Sequence, residues 1–359
     1  MRIHKALLPV SWLYGLGVVT RNLLFDCGLL KSRSFDIPVI CVGNLAVGGT
    51  GKTPHVEHLV RLLKSQYKVA VLSRGYKRKT KGFVLADSDS TALDIGDEPM
   101  QIHRKYSDII VAVDENRCEG IEQLMAMGAE VVVLDDAFQH RYVNPSLSIL
   151  LMEHDRLIGD RLLPAGRLRE PLRGMSRADI VVVTKCPDDM ADNGFEEAER
   201  HLSQCSPQVK ALTSQKLFFS RMAYKSLEAL FPESGLRPAI NADTHVLLVT
   251  GIANVAPLEE EVRRHTCHLR HLAYGDHHAF SDSDFAEINK AFAQLPEPRL
   301  LLTTEKDAAR LRTMKGLSKE VAANACQVPI QVEILRNQQD VFDEAIIRHV
   351  KAPNFRKTP

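Results

Sequence analysis

Val39–Pro54 reads VICVGNLAVGGTGKTP, an apolar run entering a glycine-rich turn that closes on Gly51-Lys52-Thr53. Ala46–Thr53 fits the phosphate-binding P-loop pattern in its relaxed form, with Ala46 where the strict pattern has Gly. The chemistry accounts for the residue types. Gly48, Gly49 and Gly51 let backbone N–H groups turn inward at a polyphosphate, because a Cβ would crowd the anion or forbid the dihedrals. Lys52 brings a charge to the β- and γ-phosphates, and Thr53 a hydroxyl to Mg2+. A helix-like run, His55–Leu63, aims its positive end at the same place. Ala46, Val47, Gly48, Gly49, Thr50, Gly51, Lys52 and Thr53 are therefore the expected nucleotide-binding residues, and ATP with Mg2+ the expected cofactors.

Outward from this unit, strand-like runs alternate with helical stretches. The strands fall at Val39–Val42, Val69–Leu72, Phe83–Leu85, Ile109–Val113, Val131–Leu134, Ser148–Met152 and Ile180–Val183. Continuous β-branched runs such as VVVL and IVVV predict strands buried on both faces. The expected fold is α/β: a P-loop NTPase-like, doubly wound, mostly parallel sheet with ligands at the strands' C-terminal ends. A second, smaller α/β domain begins near HVLLVTGIAN (245–254), with a strand near His268–Ala273, a helix around Asp282–Leu295 and a strand Arg299–Thr303. The expected division is 1–30 as an apolar N-terminal helix, 31–214 as the P-loop domain, 215–240 as an extended connector and 241–352 as the smaller domain.

The chain has 359 residues, room for two domains, and a net charge of +1, which gives no general attraction for nucleic acid. Seven scattered cysteines without a CxxC pair read as reduced thiols, not as a disulfide frame or zinc site. Ala6–Val19, ALLPVSWLYGLGVV, is almost wholly apolar between basic flanks. It is too short and too interrupted to span a bilayer comfortably. Leu8, Trp12, Leu16, Val19 and Leu23 recur at helical spacing, which suits a core helix or an in-plane membrane helix with a Trp/Tyr anchor. A cleaved signal shares the charge-then-apolar layout but wants a small-x-small site that the segment lacks.

Several further segments carry chemistry. VVVLDD (131–136) delivers Asp135 and Asp136 at the end of an apolar strand, the place of a Mg2+-gripping arm; the plainer reading is a polar turn. Ser73-Arg74-Gly75-Tyr76 follows another strand end, where Arg74 and Tyr76 face either solvent or the phosphates and acceptor. Asp97, in Gly96-Asp97-Glu98-Pro99, is open between helix cap and proton acceptor. LLPAGRLREP (162–171) lies in an arginine-rich stretch that suggests an anionic ligand or a solvated face, and Glu170 could join the metal shell. Asp276-His277-His278 lacks a third ligand at metal spacing, so proton transfer by one histidine competes with a polar loop. Thr184-Lys185-Cys186-Pro187 lacks the acid of a guanine-reading motif.

In this order, VGNLAVGGTGKTP, SRGY, GDEP, LDDAFQHR, LLPAGRLREP, TGIAN, GDHHAF and TTEKDAARL span residues 39 to about 311 and resemble the tetraacyldisaccharide 4'-kinase family of lipid A synthesis. The resemblance implies transfer of the ATP γ-phosphate to the 4'-hydroxyl of a tetraacylated glucosamine disaccharide 1-phosphate. The enzyme would be peripheral, at the cytoplasmic face of the bacterial inner membrane, with the glycolipid and the membrane surface as partners and no obligate protein partner. It implies Asp97 as catalytic base and His277 as its partner, Asp135, Asp136 and Glu170 as the acidic shell of Mg2+, and Tyr76, His140 and Arg169 as substrate or phosphate contacts; Arg74, from its strand-end position, is expected among the substrate contacts. Ala137 stands where the family's DDGFQH segment has Gly, which matters if that position needs a left-handed backbone. The rival reading is a P-loop switch or metallochaperone-type NTPase acting through partner binding.

Overall fold

The computed structural model describes residues 5–156, 160–205, 217–252, 254–276, 278, 280–312 and 316–352. Two compact units divide the chain, Met1–Met222 with Val332–Pro359, and Ala223–Gln331.

The larger unit opens with α1 (Leu8–Asp26), then β1 (Val39–Asn44), α2 (Lys52–Leu63), β2 (Val69–Ser73), β3 (Val84–Leu85), α3 (Ala92–Ile95), α4 (Asp97–Lys105) and β4 (Ile110–Val113). It continues through α5 (Arg117–Ala126), β5 (Val131–Asp135), β6 (Leu147–Glu153), β7 (Ile180–Thr184), α6 (Asp192–Cys205) and β8 (Leu217–Tyr224). The smaller unit holds β9 (Glu228–Ala229), β10 (His245–Thr250), α7 (Ala256–Arg263), β11 (Leu269–Ala273), α8 (Asp282–Ala293), β12 (Arg299–Thr304), α9 (Glu305–Leu311), α10 (Lys319–Ala323) and β13 (Ala325–Val328). The chain then returns through β14 (Ile330–Ile334) and α11 (Gln339–Lys351).

Among the described residues the large sheet runs β14-β8-β7-β6-β1-β5-β2-β4-β3, parallel from β8 to β4, with β3 antiparallel at one edge and β14 antiparallel to β8 at the other, where Leu335 N donates to Phe219 O and Lys225 N to Pro329 O. The apolar runs explain it. In β1, Val39 and Cys41 feed one core while Ile40 and Val42 feed the other. In β5, Val132 and Leu134 separate from Val131 and Val133 in the same way. Ile121 and Leu124 of α5 cover the first face, and Val56, Leu59, Val60 and Leu63 of α2 the second. Each such side chain stabilises the fold by roughly 1.5–3 kcal/mol on full burial. The smaller unit repeats the plan, with β11-β10-β12-β13 parallel and β9 antiparallel at its edge.

The expected connector at 215–240 differs from the structure. Leu217, Phe218 and Phe219 pair in parallel with Val181, Val182 and Val183 of β7. Phe218 and Phe219 are buried on opposite faces, so LFFSRMAY is a sheet strand and not a tether. The smaller unit likewise ends at Gln331 and not at 352, because Val332, Ile334, Phe342, Ile346 and Val350 fill the same core as Ile40 and Val56.

α1 is not a core helix. Only Ser11, Gly15 and Phe25 of it are buried. Its hydrogen bonds come from polar residues: Ser11 Oγ donates to Leu162 O (2.7 Å), Tyr14 OH to Arg169 O (2.8 Å), Arg21 to Gln139 O (3.2 Å) and Asn22 to Glu170 (3.3 Å). Trp12 and Leu13 are each 72% exposed and Leu16 is 66% exposed, and Val10 and Leu23 are exposed as well. Among the described residues no helix is long and apolar enough to cross a membrane.

Candidate active site

β1 and β5 lie side by side, with Val42 opposite Asp135, so the P-loop and the paired acids leave the same end of the sheet. Gly51 caps α2 at φ 85°, a left-handed conformation that favours glycine, and no side chain caps the helix. The first-turn amides of α2 are left for an anion. The loop is braced from behind. Asn44 Nδ2 donates to Thr50 Oγ1 (2.9 Å) and Thr184 Oγ1 to Thr50 O (2.9 Å). Thr184 thus props the phosphate loop in the segment that lacks the guanine-reading acid.

His55 sits under the loop. Its Nδ1 donates to Gly51 O (2.7 Å), which leaves Nε2 to accept from Ser220 Oγ (3.1 Å). Burial pulls its pKa down to about 4. The fold therefore favours neutral His55, and protonating it costs on the order of 3 kcal/mol more than in the unfolded chain. That stability is complete above the unfolded value near 6.5 and is lost as pH falls towards 4. Thermal melting of the wild type should drop between pH 7 and 5, and more steeply than in His55→Asn; equal slopes would remove His55 as the cause.

The acids and the arginine-rich stretch meet the loop. Val47 N donates to Arg167 O (2.8 Å) and Arg169 N to Leu45 O (2.7 Å), so Arg167–Arg169 lies antiparallel to the entry of the P-loop. This aims Arg169 at Asp136, to which it donates twice (2.9 and 3.2 Å), while Lys52 Nζ stands 3.7 Å from the same carboxylate. Asp135 is buried, and its Oδ1 has no hydrogen-bond partner. Burial first, then Glu98 and Asp136, push its pKa up to about 7 against the pull of Lys52 and Arg117. A divalent cation fits this donor set: it would supply the missing partner of Asp135 Oδ1. Among the described residues no cage of three His, Cys, Asp or Glu exists. Mg2+ takes one or two carboxylates and completes its shell with water and phosphate.

Glu170 does not join those acids in this geometry. Arg177 donates to both of its oxygens (2.8 Å each), Gln139 to one (2.9 Å) and Asn22 to the other. Its carboxylate is spent on holding α1 and the Gln139 loop together, because a buried acid beside a guanidinium keeps that partner. The left-handed residue of the DDAFQH turn is Asp136, at φ 51°, and not Ala137. Ala at 137 therefore carries no strain. Gly43 permits the close approach of this turn, since a Cβ there would lie 2.6 Å from Phe138 Cβ.

The GDEP turn starts α4, and Glu98 is near enough to act on Asp135. Glu57 of α2 ties the two helices, accepting from Lys105 (2.7 Å) and Gln101 (2.9 Å). Asp97 is half-buried in the first turn of α4. The SRGY turn packs on the GDEP turn: a Cβ on Gly96 would meet Tyr76 O at 3.1 Å. Arg74 and Tyr76 are exposed. His140 is half-buried with Nε2 unpartnered, and desolvation together with Arg117, Arg21 and Arg74 lowers its pKa to about 4. Arg117, 3% exposed, is a cation near Asp135 and Asp136 that the sequence reading missed; its only signal was a position just past a strand end.

In the smaller unit, His277 lies outside the described residues. Its neighbours are fixed: Asp276 pairs with Lys306 (3.2 Å), and His278 Nε2 donates to Asp284 (2.9 Å) while stacking on Tyr274 (4.8 Å between centroids). Asp307, fully buried, accepts from Gly251 N (2.9 Å) and Thr304 Oγ1 (2.8 Å), joining TGIAN to TTEKDAARL.

A P-loop on the central strand, with a carboxylate pair on the next, defines a P-loop phosphotransferase site. The family model for LpxK, tetraacyldisaccharide-1-P 4'-kinase, matches residues 3–351, and the chain belongs to that family. Similar proteins carry the description tetraacyldisaccharide 4'-kinase. One from Bacteroides thetaiotaomicron is 50% identical, covering 98% of this chain and 94% of the relative. One from Porphyromonas gingivalis is 43% identical, covering 98% and 99%. The crystal structure of LpxK from Aquifex aeolicus in complex with ATP aligns with a TM-score of 0.73 at 29% identity, over 97% of this chain and 99% of that one.

Proposed function

We infer that this chain is an ATP-dependent lipid kinase that transfers the γ-phosphate to the 4'-hydroxyl of tetraacyldisaccharide 1-phosphate in lipid A biosynthesis. Family membership supports the reaction, and the convergence of Lys52, Asp136 and Arg169 on one point beside the P-loop carries the reading structurally. The switch-type NTPase finds no support in the family match.

Phosphoryl transfer through a loose transition state asks for positioning and charge stabilisation. The backbone of residues 46–53 cradles the phosphates, and Lys52 meets the charge that grows on the γ-phosphoryl oxygens. Thr53, Asp135 and Asp136 would hold Mg2+, which when bound would neutralise phosphate charge. Arg169 keeps Asp136 oriented. Asp97 takes the acceptor's proton, and Arg74, Tyr76 and His140 contact the substrate. Glu170 acts as a positioning residue through Arg177 and Gln139. Asp135→Ala and Asp136→Ala should each raise the Mg2+ concentration needed for half-maximal kcat while leaving nucleotide capture largely intact, because backbone amides hold the phosphates. Normal metal dependence in both would reduce VVVLDD to a strand end.

The site of action is the cytoplasmic face of the bacterial inner membrane, where ATP and the glycolipid meet. An exposed apolar helix face in a monomer marks an interaction surface, and α1 turns its polar side to the protein and its Trp and Leu residues outward. Replacing Trp12, Leu13 and Leu16 by Ser spares every α1 hydrogen bond named above. Vesicle binding should fall at least roughly a hundredfold, since each large apolar side chain contributes about 1.5–3 kcal/mol. Unchanged co-sedimentation of the folded variant would overturn the interfacial role. The reaction itself is tested by product analysis: the new phosphate must sit on the 4'-oxygen, and phosphate on any other position rejects the assignment.

A further inference from the structure

The segment between β2 and β3 contains five cations in nine residues, Arg74-Gly-Tyr-Lys77-Arg78-Lys79-Thr-Lys81-Gly82, in a chain of net charge +1. Only Arg78 turns inward. It donates to Gly82 O (2.7 Å) and pairs with Glu115 (2.8 Å). The loop around it is built rather than loose. Lys79 N donates to Leu93 O (2.8 Å), Thr80 Oγ1 to Asp94 O (2.5 Å), and Gly82 N to Glu115 (2.9 Å). Lys77 is held at φ 63°, a left-handed backbone conformation that disfavours a non-glycine residue.

This scaffold presents Lys77, Lys79 and Lys81 to solvent. Among the described residues none of the three has an acidic partner, whereas Lys52, Lys64, Lys105, Lys185 and Lys306 all do. Apolar side chains flank them: Tyr76 is 64% exposed and Leu93 54%, and Lys77 Nζ lies 5.6 Å from the Tyr76 ring centroid. Unpaired cations set among exposed apolar groups match an anionic lipid interface, where the chains take the apolar groups and the headgroups the charge.

We propose that the Lys77–Lys81 loop is a docking surface for anionic lipid headgroups, a second membrane contact beside the apolar face of α1. It rests on the interfacial reading of α1 and extends it. The helix supplies apolar anchoring that is indifferent to headgroup charge. The loop supplies attraction that depends on it and is screened by salt. One consequence concerns orientation: with Gly75 packed against the Gly96 turn, a loop seated on headgroups holds the start of α4 close to the membrane plane.

The test compares wild type, a Lys77→Gln/Lys79→Gln/Lys81→Gln variant and the Trp12/Leu13/Leu16→Ser variant on phosphatidylcholine vesicles with and without phosphatidylglycerol. Wild type should bind the anionic vesicles more tightly, with the difference shrinking as salt rises. The lysine variant should lose roughly a hundredfold of affinity for anionic vesicles, at roughly fivefold per lysine, and none for neutral ones. Its melting temperature and its activity on detergent-dispersed substrate should match wild type. Neutral-vesicle binding that persists without any anionic gain would overturn the loop proposal and leave the α1 reading standing. Failure of wild type to bind either vesicle would overturn both. A raised KM of the lysine variant for the substrate in detergent would assign the loop to the substrate's own phosphate and overturn the lipid-surface role.

Discussion

Lys52→Ala is expected to abolish phosphoryl transfer while leaving the protein folded. Lys52 is the first residue of α2, its side chain is 15% exposed, and its ammonium lies 3.7 Å from Asp136. Alanine is a good helix former at that position. The loss strands no carboxylate either, because Arg169 still donates twice to Asp136. What disappears is the cation that meets charge growing on the transferred phosphoryl group. Removing one such preorganised group costs on the order of 3–4 kcal/mol, or several hundredfold to a thousandfold in kcat. Turnover near wild type in a variant with an unchanged melting curve would remove the P-loop from the chemistry.

The second large effect concerns the acceptor's proton. A sugar hydroxyl is a poor nucleophile at neutral pH, and a positioned base contributes on the order of a hundredfold to ten-thousandfold. Asp97→Asn should lower kcat by that order with little change in KM for ATP. If His277 orients or polarises the same carboxylate, the two residues act as a unit and their losses are not additive. Asp97→Ala/His277→Ala should then be scarcely slower than the worse single variant, whereas simple addition of the losses in log kcat would mean independent roles. His278→Ala serves as the contrast. Its ring already donates to Asp284 and stacks on Tyr274, so its loss should lower stability more than kcat. A larger kcat defect at His278 than at His277 would move the proton-transfer role by one residue.

Periodicity made the central strands legible, because a strand covered on both faces needs an unbroken apolar run, and VVVL and IVVV are such runs. The P-loop was legible because phosphate binding constrains backbone, charge and hydroxyl within eight contiguous residues. LFFSRMAY was harder to read: it sits at the far side of the sheet with polar residues mixed in, so it resembled a tether. The return of β14 and α11 to the first unit leaves no local mark in the sequence, since it depends on which core Phe342 and Ile346 fill. Glu170 shows the same limit at the site. The family resemblance put it in the acidic shell of the metal, but Arg177, seven residues on, takes the carboxylate. Arg117 and Thr184 went unnoticed as site residues because what links them to the site, the Asp135–Asp136 charges and Thr50 O, is remote in sequence. For α1, spacing identified an apolar stripe but could not say which way it faced; the hydrogen bonds of Ser11, Tyr14 and Asn22 turn it outward.

The most direct measurement follows both substrates at once, in detergent micelles containing tetraacyldisaccharide 1-phosphate and ATP labelled at the γ-position. A kinase must pass one labelled phosphate to the lipid for each ATP consumed, with negligible consumption when the lipid is omitted. ATP hydrolysis that proceeds without lipid, or that leaves the lipid unlabelled, would contradict the account and restore the nucleotide-switch reading.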